Sequence, residues 1–150
     1  MINENTPFIF LYIDLDRCKN INDSFGHFTG DSLLMLVTAR IKKFYNTTGK
    51  LYRVGGDEFD VLIKGQAERT KMLENAKLLI QKVEEPFNIE EMEIHISCSI
   101  GIASFPLHGS SYKEIHRAAD LALRWNKKGK EIIPPNDFIP FVEETGLIIR

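Results

Sequence analysis

The stretch Arg53-Val54-Gly55-Gly56-Asp57-Glu58-Phe59 decides how this chain folds, because it is typical of a tight turn between two strands. Residues 51–54 and 58–63 are rich in β-branched, aromatic and other apolar side chains, and the two glycines between them can adopt positive φ angles. The pattern predicts a β-hairpin with Asp57 and Glu58 directly after its turn. Since successive strand residues point to opposite faces, we expect one carboxylate to bind a metal and the other to face a substrate.

A second acidic motif ends the first predicted strand. Residues 8–13 (FIFLYI) form a continuous apolar run, typical of a central strand buried on both faces, and Asp14 and Asp16 follow it on one face. If the hairpin packs beside this strand, Asp14 converges with Asp57 or Glu58. Such hard oxygen ligands suit Mg²⁺ held with phosphates and indicate metal-assisted phosphoryl or nucleotidyl transfer. Ordinary solvated carboxylates at strand ends are the competing interpretation.

The remaining pattern predicts an α+β fold, with a mostly antiparallel central sheet flanked by helices. Apolar residues at helical spacing predict helices at 30–45, 68–83 and 113–128, and residues 93–104 are predicted to form one long strand. The predicted order, β-α-β-β-α-β-α, is typical of helices packed on a single sheet. Residues 131–135 (EIIPP) break any helix, and the short apolar segment at 137–149 belongs to no obvious element of the first 130 residues.

The segment at 17–31 is predicted to be a structured loop, because it is rich in Asn, Asp and Gly. Within it, Asn22 and Asp31 could read the edge of a base, since an amide both donates and accepts and a carboxylate accepts from N–H groups. Backbone N–H groups near Arg17 and Cys18 could hold phosphate. For each residue alone, a turn-forming Asn22 and a helix-capping Asp31 are the simpler interpretations.

Taken together, these residues resemble the GGDEF family of diguanylate cyclases. Four segments at compatible spacing carry the resemblance: 14–31 (DLDRCKNINDSFGHFTGD), 53–59 (RVGGDEF), 97–103 (SCSIGIA) and 118–123 (AADLAL). The resemblance covers roughly residues 7–130. It implies a nucleotide cyclase-like fold with a ferredoxin-like palm, and the condensation of two GTP molecules into cyclic di-GMP by two such domains facing each other.

The resemblance also implies a role for each site residue. The ion, Mg²⁺ or Mn²⁺, would be held by the side chains of Asp14 and Asp57 and by the backbone carbonyl of Leu15. Glu58 would serve catalysis beside Asp57, by orienting or deprotonating the GTP 3′-hydroxyl that attacks an α-phosphate. Substrate binding would fall to Asn22 and Asp31 for guanine and to a set of phosphate-binding residues: Arg17, Cys18, Lys19, Lys127 and Lys130.

Four features depart from the family pattern. Members usually carry a helix with an LTGLPNR-like segment before the first strand, where this chain starts. Cys18 stands where an aromatic residue is common, which is tolerable if only its backbone N–H is used. Residues 46–49 (NTTG) replace the inhibitory RxxD motif, so we expect no feedback inhibition by product there. Residues 124–130 (RWNKKGK) only approximate the phosphate-binding KxxGRN-like stretch.

From about residue 123 the chain instead resembles the start of an EAL phosphodiesterase domain, through LRWNKKGKEIIPPNDFIPFVEETGLI. Nearly all of a barrel of about 250 residues is missing, so phosphodiesterase activity is not expected. We therefore expect a GGDEF domain at 1–130, lacking its usual N-terminal helix, and an EAL-like remnant tail at 131–150. The alternative to a cyclase is a catalytically inactive, GTP-binding regulatory module derived from a GGDEF–EAL protein.

Composition excludes several other classes of protein. Nineteen basic and 21 acidic residues give a net charge of −2, which indicates neither a nucleic-acid nor a membrane surface. No apolar run approaches the roughly 18 residues of a transmembrane helix, and the start lacks the basic region of a signal peptide. Two cysteines, Cys18 and Cys98, make no disulfide framework. We expect a cytoplasmic protein whose partners are GTP and, transiently, a second copy of itself.

Overall fold

The computed structural model describes residues 6–16 and 18–127, except for the side chains of Lys19, Asn126 and Lys127. Its elements are, in chain order, β1 (Phe8–Asp16), α1 (Cys18–Phe25), α2 (His27–Tyr45), β2 (Gly49–Arg53), β3 (Glu58–Lys64), α3 (Arg69–Glu84), β4 (Phe87–Ile89), β5 (Met92–Ile94), β6 (Ser97–Phe105) and α4 (Tyr112–Lys127). The main sheet has the order β2-β3-β1-β6, and every neighbouring pair in it is antiparallel. The predicted α+β class, an antiparallel sheet flanked by helices, is confirmed.

Strand β1 is central, as its continuous apolar run predicts. It pairs with β3 on one side and with β6 on the other. Ile9, Leu11 and Ile13 pack into the core shared with α2 and α3, whereas Phe10 and Tyr12 pack into a second core with α4. Because helices cover both faces of this strand, its sequence shows no alternation between apolar and polar residues.

The prediction of a loop at 17–31 is wrong, because residues 18–25 form α1 and α2 already begins at His27. Asn, Asp and Ser favour turns in isolated sequence, but Cys18 is buried in the core and Ile21 packs against it. Gly26, at φ 91°, separates the two helices. Tertiary burial of one apolar face therefore overrides the local turn propensity of this segment.

The single long strand predicted at 93–104 is also wrong. The chain forms a small hairpin from β4 and β5, and only then returns to the main sheet as β6. The turn of this hairpin consists of Glu90 and Glu91, which both have positive φ angles, 48° and 69°. Asn and Gly usually occupy such a turn, so two glutamates gave no signal of it in the sequence.

Helix α4 lies close to β6 where Gly101 faces it. A β carbon at Gly101 would overlap the carbonyl oxygen of Ala119 and would lie 2.6 Å from the backbone nitrogen of Leu123. Backbone atoms cannot move aside as a flexible side chain can. A glycine is therefore required here for α4 to cover the sheet at this distance.

In the described part of the chain, no helix is both long and apolar enough to cross a membrane.

Candidate active site

Three carboxylates meet at one end of the sheet. Asp14, Asp57 and Glu58 each offer an oxygen atom, these oxygens all lie within 4.8 Å of one another, and all three residues are half-buried. Asp14 is opposite Glu58 in the pairing of β1 with β3, and the backbone N–H of Leu15 continues this pairing by donating to the carbonyl oxygen of Asp57 at 2.9 Å. The predicted convergence of the two acidic motifs is confirmed, and it includes both Asp57 and Glu58 rather than one of them.

The turn before Asp57 is held differently from the prediction. Neither Gly55 nor Gly56 has a positive φ angle. Instead, the Arg53 guanidinium donates to the carbonyl oxygens of both glycines, at 3.1 and 3.0 Å, and the Val54 N–H donates to the carbonyl oxygen of Glu58 at 2.9 Å. A β carbon at Gly56 would meet no atom within 4 Å, so open space lies beside the turn.

Asp16 lies on the same face as Asp14 but outside the cluster of three carboxylates. Its carboxylate accepts hydrogen bonds from the hydroxyl groups of Ser97 at 3.1 Å and Ser99 at 3.4 Å, both on β6. Asp16 therefore links β1 to β6, whereas the cluster of three carboxylates lies on the side of β1 that faces β3.

Two tyrosine–carboxylate hydrogen bonds lie on the α4 side of the sheet, and sequence reasoning missed both. Tyr12 donates to Oε1 of Glu58, and Tyr112 donates to Oδ2 of Asp60, each at 2.7 Å. Burial raises the pKa of Asp60, which is only 2% exposed, although the hydrogen bond from Tyr112 opposes that shift. The His116 ring lies 4.7 Å from the Tyr12 ring and 5.8 Å from the Tyr112 ring.

The two residues predicted to read a base lie on neighbouring helices. Asn22 lies within α1, and Asp31 is exposed in the second turn of α2. The simpler interpretations of both are wrong: Asn22 is helical rather than in a turn, and Asp31 cannot cap a helix that begins at His27. Oδ1 of Asn22 is buried against Gly30 without a hydrogen-bond partner in the structure. Gly30 leaves the space that this amide occupies.

Of the residues predicted to bind phosphate, Cys18 is the best placed. It is the first residue of α1, where N–H groups that have no partner within the helix and the positive end of the helix dipole suit an anion. Burial, followed by the nearby charge of Asp57, raises the pKa of its thiol to about 11, so Cys18 would act through its backbone rather than as a thiolate. The backbones of Lys19 and Lys127 lie in α1 and α4, and their side chains, like Arg17 and Lys130, lie outside the described residues.

A family model described as "Diguanylate cyclase, GGDEF domain" matches residues 2–131 of the chain. The chain belongs to the GGDEF domain family. Of the stretch compared above with an EAL domain, which begins at about residue 123, the part beyond residue 127 lies outside the described residues.

Individual relatives agree with this assignment. The chain is 37% identical over 122 residues to the bifunctional diguanylate cyclase/cyclic di-GMP phosphodiesterase MucR of Pseudomonas aeruginosa, covering 81% of the chain and 18% of that protein. It is 37% identical over 126 residues to the cyclic di-GMP phosphodiesterase PdeR of Escherichia coli, covering 84% of the chain and 19% of that protein. The chain thus spans about a fifth of the length of these two curated relatives.

A solved structure shows the same GGDEF fold. The GGDEF domain of PA1120 (YfiN or TpbB) from Pseudomonas aeruginosa superposes with a TM-score of 0.79 at 30% identity, covering 87% of this chain and 83% of that one.

Proposed function

We propose that this GGDEF domain condenses two GTP molecules into cyclic di-GMP with a divalent cation, as two copies facing each other. The observation that carries the proposal is the cluster of Asp14, Asp57 and Glu58 beside an open turn. The placement of Asn22 and Asp31, which we propose to read guanine, on the neighbouring helices α1 and α2 supports it. So does similarity to the diguanylate cyclase TpbB of Pseudomonas aeruginosa, 34% over 114 residues.

The donor set fits Mg²⁺ or Mn²⁺, because both ions prefer hard oxygen ligands and the cluster offers only carboxylates. Asp14 and Asp57 would hold the ion together with the backbone carbonyl of Leu15, and Glu58 lies close enough to be a further ligand. When bound with GTP, such an ion polarises phosphoryl oxygens and favours ionisation of a coordinated hydroxyl group.

The chain itself would bind and orient the nucleotide. Asn22 and Asp31 would hydrogen-bond the edge of guanine, and the N–H group of Cys18 would donate to the phosphates. Glu58 would accept a hydrogen bond from the 3′-hydroxyl group and so direct its oxygen towards an α-phosphate. Binding and orientation together would supply the proximity that the reaction needs.

A second copy of the domain is required by the chemistry. Each 3′-oxygen forms a bond to the α-phosphorus of the other GTP, each α-phosphorus releases pyrophosphate, and each hydroxyl group loses its proton. Two P–O bonds form and two P–O bonds break for one cyclic product, and the two hydroxyl protons are released. A single cluster of carboxylates serves one attacking hydroxyl, so two facing sites complete the ring.

The second candidate is a GTP-binding module without turnover. It is favoured by the names of two relatives, the cyclic di-GMP phosphodiesterases PdeR of Escherichia coli and NbdA of Pseudomonas aeruginosa, at 37% and 33% identity. Those proteins are named for cleavage of cyclic di-GMP rather than its synthesis, although each contains a segment similar to this chain. A binding role in this chain would use Asn22, Asp31 and Asp57 as the cyclase role does.

Incubation of the purified chain with GTP and Mg²⁺ or Mn²⁺, followed by chromatographic separation of the nucleotides, tests the proposal. Formation of cyclic di-GMP by the natural chain, and none by Asp57→Asn, is the expected result. Calorimetric titration with GTP is run on the same samples. Binding without product would establish the regulatory module in place of the cyclase, and absence of binding would contradict both.

A further inference from the structure

We propose that Tyr12 is a positioning residue for the acidic cluster, in which its hydroxyl group holds the Glu58 carboxylate towards Asp14 and Asp57. The proposal rests on the function proposed above, because it assigns Glu58 to a metal-dependent nucleotide site. It adds a residue that lies outside the GGDEF signature and that would act through Glu58.

The geometry of the pair is direct. The Tyr12 hydroxyl oxygen lies 2.7 Å from Oε1 of Glu58, the usual length of an O–H···O hydrogen bond. Tyr12 pairs with Asp60 across β1 and β3, and Asp14 pairs with Glu58, so Tyr12 and Glu58 are diagonal neighbours on one face of the sheet. One rigid strand therefore carries both Asp14, within the cluster, and the hydroxyl group that binds Glu58.

Glu58 needs such a partner because like charges crowd it. Carboxylate oxygens of Asp14 and Asp57 lie within 4.8 Å of one of its own, and their mutual repulsion favours rotamers in which Glu58 turns away. A glutamate side chain has three rotatable bonds and loses entropy when it is held in one conformation. A hydrogen bond from a fixed donor offsets both costs.

Tyr12 is a well-fixed donor. It is 8% exposed, belongs to the core under α4, and its ring packs 4.7 Å from that of His116. A tyrosine hydroxyl group is protonated at neutral pH and can therefore donate this hydrogen bond. The donor is thus in place before an ion or a nucleotide binds.

The fold offers a matched control in Tyr112. This residue donates to the carboxylate of Asp60 at the same distance, 2.7 Å, and contacts the same His116 ring. Asp60 is not in the acidic cluster. Replacement of either tyrosine by phenylalanine removes one hydroxyl group and one tyrosine–carboxylate hydrogen bond but keeps the ring. The two sites differ in burial, since Tyr12 is 8% exposed and Tyr112 is 49% exposed.

The test measures Mn²⁺ binding to the full chain by electron paramagnetic resonance, in the presence of 3′-deoxy-GTP, which lacks the attacking hydroxyl group. Tyr12→Phe is expected to weaken Mn²⁺ binding about tenfold, the usual effect of losing a hydrogen bond to a charged group, and Tyr112→Phe to change it less than twofold. With GTP, Tyr12→Phe should lower kcat and raise the Mn²⁺ concentration for half-maximal rate, while KM for GTP stays within twofold.

Equal Mn²⁺ affinities in the natural chain and Tyr12→Phe would overturn the proposal, as would equal losses in the two tyrosine variants. The outcome is independent of turnover, because 3′-deoxy-GTP cannot react. If the natural chain binds Mn²⁺ and makes no cyclic di-GMP, the proposed cyclase function fails, and a selective effect of Tyr12→Phe still supports the positioning role. Absence of Mn²⁺ binding by the natural chain would overturn both.

Discussion

The side chain of Asn22 occupies the place where a β carbon on residue 30 would be. At Gly30 such an atom would overlap Oδ1 of Asn22, and the three heavy atoms nearest to it all belong to the Asn22 amide. The two helices of the proposed base site are therefore fitted to each other through one glycine and one amide. Gly30→Ala should displace Asn22, destabilise the domain by about 2 kcal/mol through overpacking, and weaken GTP binding. Urea unfolding and calorimetric titration measure the two effects.

A double-mutant cycle isolates the cause of this destabilisation. In the Asn22→Ala background the obstructing amide is gone, and alanine is the better helix former by about 1 kcal/mol. Gly30→Ala should then stabilise the domain, so the same substitution changes sign between the two backgrounds. A loss of equal size in both would show that Gly30 serves some purpose other than making room for Asn22.

Gly101 allows a similarly close approach between β6 and α4, but here an added β carbon would meet backbone atoms rather than a side chain. Because an added β carbon would overlap the carbonyl oxygen of Ala119, Gly101→Ala should push α4 off the sheet and cost about 3 kcal/mol or more of unfolding free energy. Gly56→Ala, where an added β carbon meets nothing within 4 Å, should stay within about 0.5 kcal/mol of the natural chain. Comparable urea midpoints for the two variants would contradict the close approach of α4.

The sequence predicted the parts of the fold that follow from local pattern. The continuous apolar run of β1 predicted a central strand, which the structure confirms. The hairpin after Arg53 predicted that Asp14 would converge with Asp57 or Glu58, and the structure brings both carboxylates to it. Pattern succeeded at these points because burial of a strand on both faces and pairing across a short turn are encoded by neighbouring residues.

The parts that it missed depend on contacts between distant residues. Helix α1 is stabilised by burial against the core despite its polar composition, and the β4–β5 turn uses glutamates where turn propensity calls for Asn or Gly. Nothing local indicates that Tyr12, 46 residues before Glu58, donates to it. Which residue lies beside Glu58 depends on the register of β1 against β3, and the spacing of apolar residues in the sequence does not determine that register.

His108 should make the stability of the domain depend on pH. It lies half-buried after β6, where its Nδ1 accepts a hydrogen bond from the Ser104 N–H at 2.9 Å. Burial, followed by the charge of Arg69, lowers the pKa of His108 from 6.5 to about 4. The unfolded chain therefore takes up this proton first as the pH falls. The contribution to stability is complete above about pH 6.5 and is lost as the pH falls towards 4, up to about 3 kcal/mol in total.

Urea unfolding between pH 4.5 and 7.5 measures this dependence. His108→Asn supplies an amide oxygen in place of the accepting nitrogen and cannot titrate, so its stability should vary less over this range than that of the natural chain. The control is His95→Asn, at a histidine whose side chain is 59% exposed, which should keep the full pH dependence. Parallel curves for the natural chain and His108→Asn would rule out His108 as the source.

Binding of a divalent cation to the acidic cluster should raise the free energy of unfolding of the domain, which can be measured without any assay of activity. Without a divalent cation, Asp57→Asn removes one of three neighbouring negative charges and should raise the free energy of unfolding by about 0.5 kcal/mol. With Mn²⁺ at about 100 times its dissociation constant, the natural chain should gain about 2.7 kcal/mol, whereas Asp57→Asn should gain far less. Asp23→Asn removes an exposed carboxylate of α1 outside the cluster and should keep the full gain. Thermal or urea unfolding with and without Mn²⁺ gives all three values, and an equal gain in Asp57→Asn and Asp23→Asn would place the ion elsewhere.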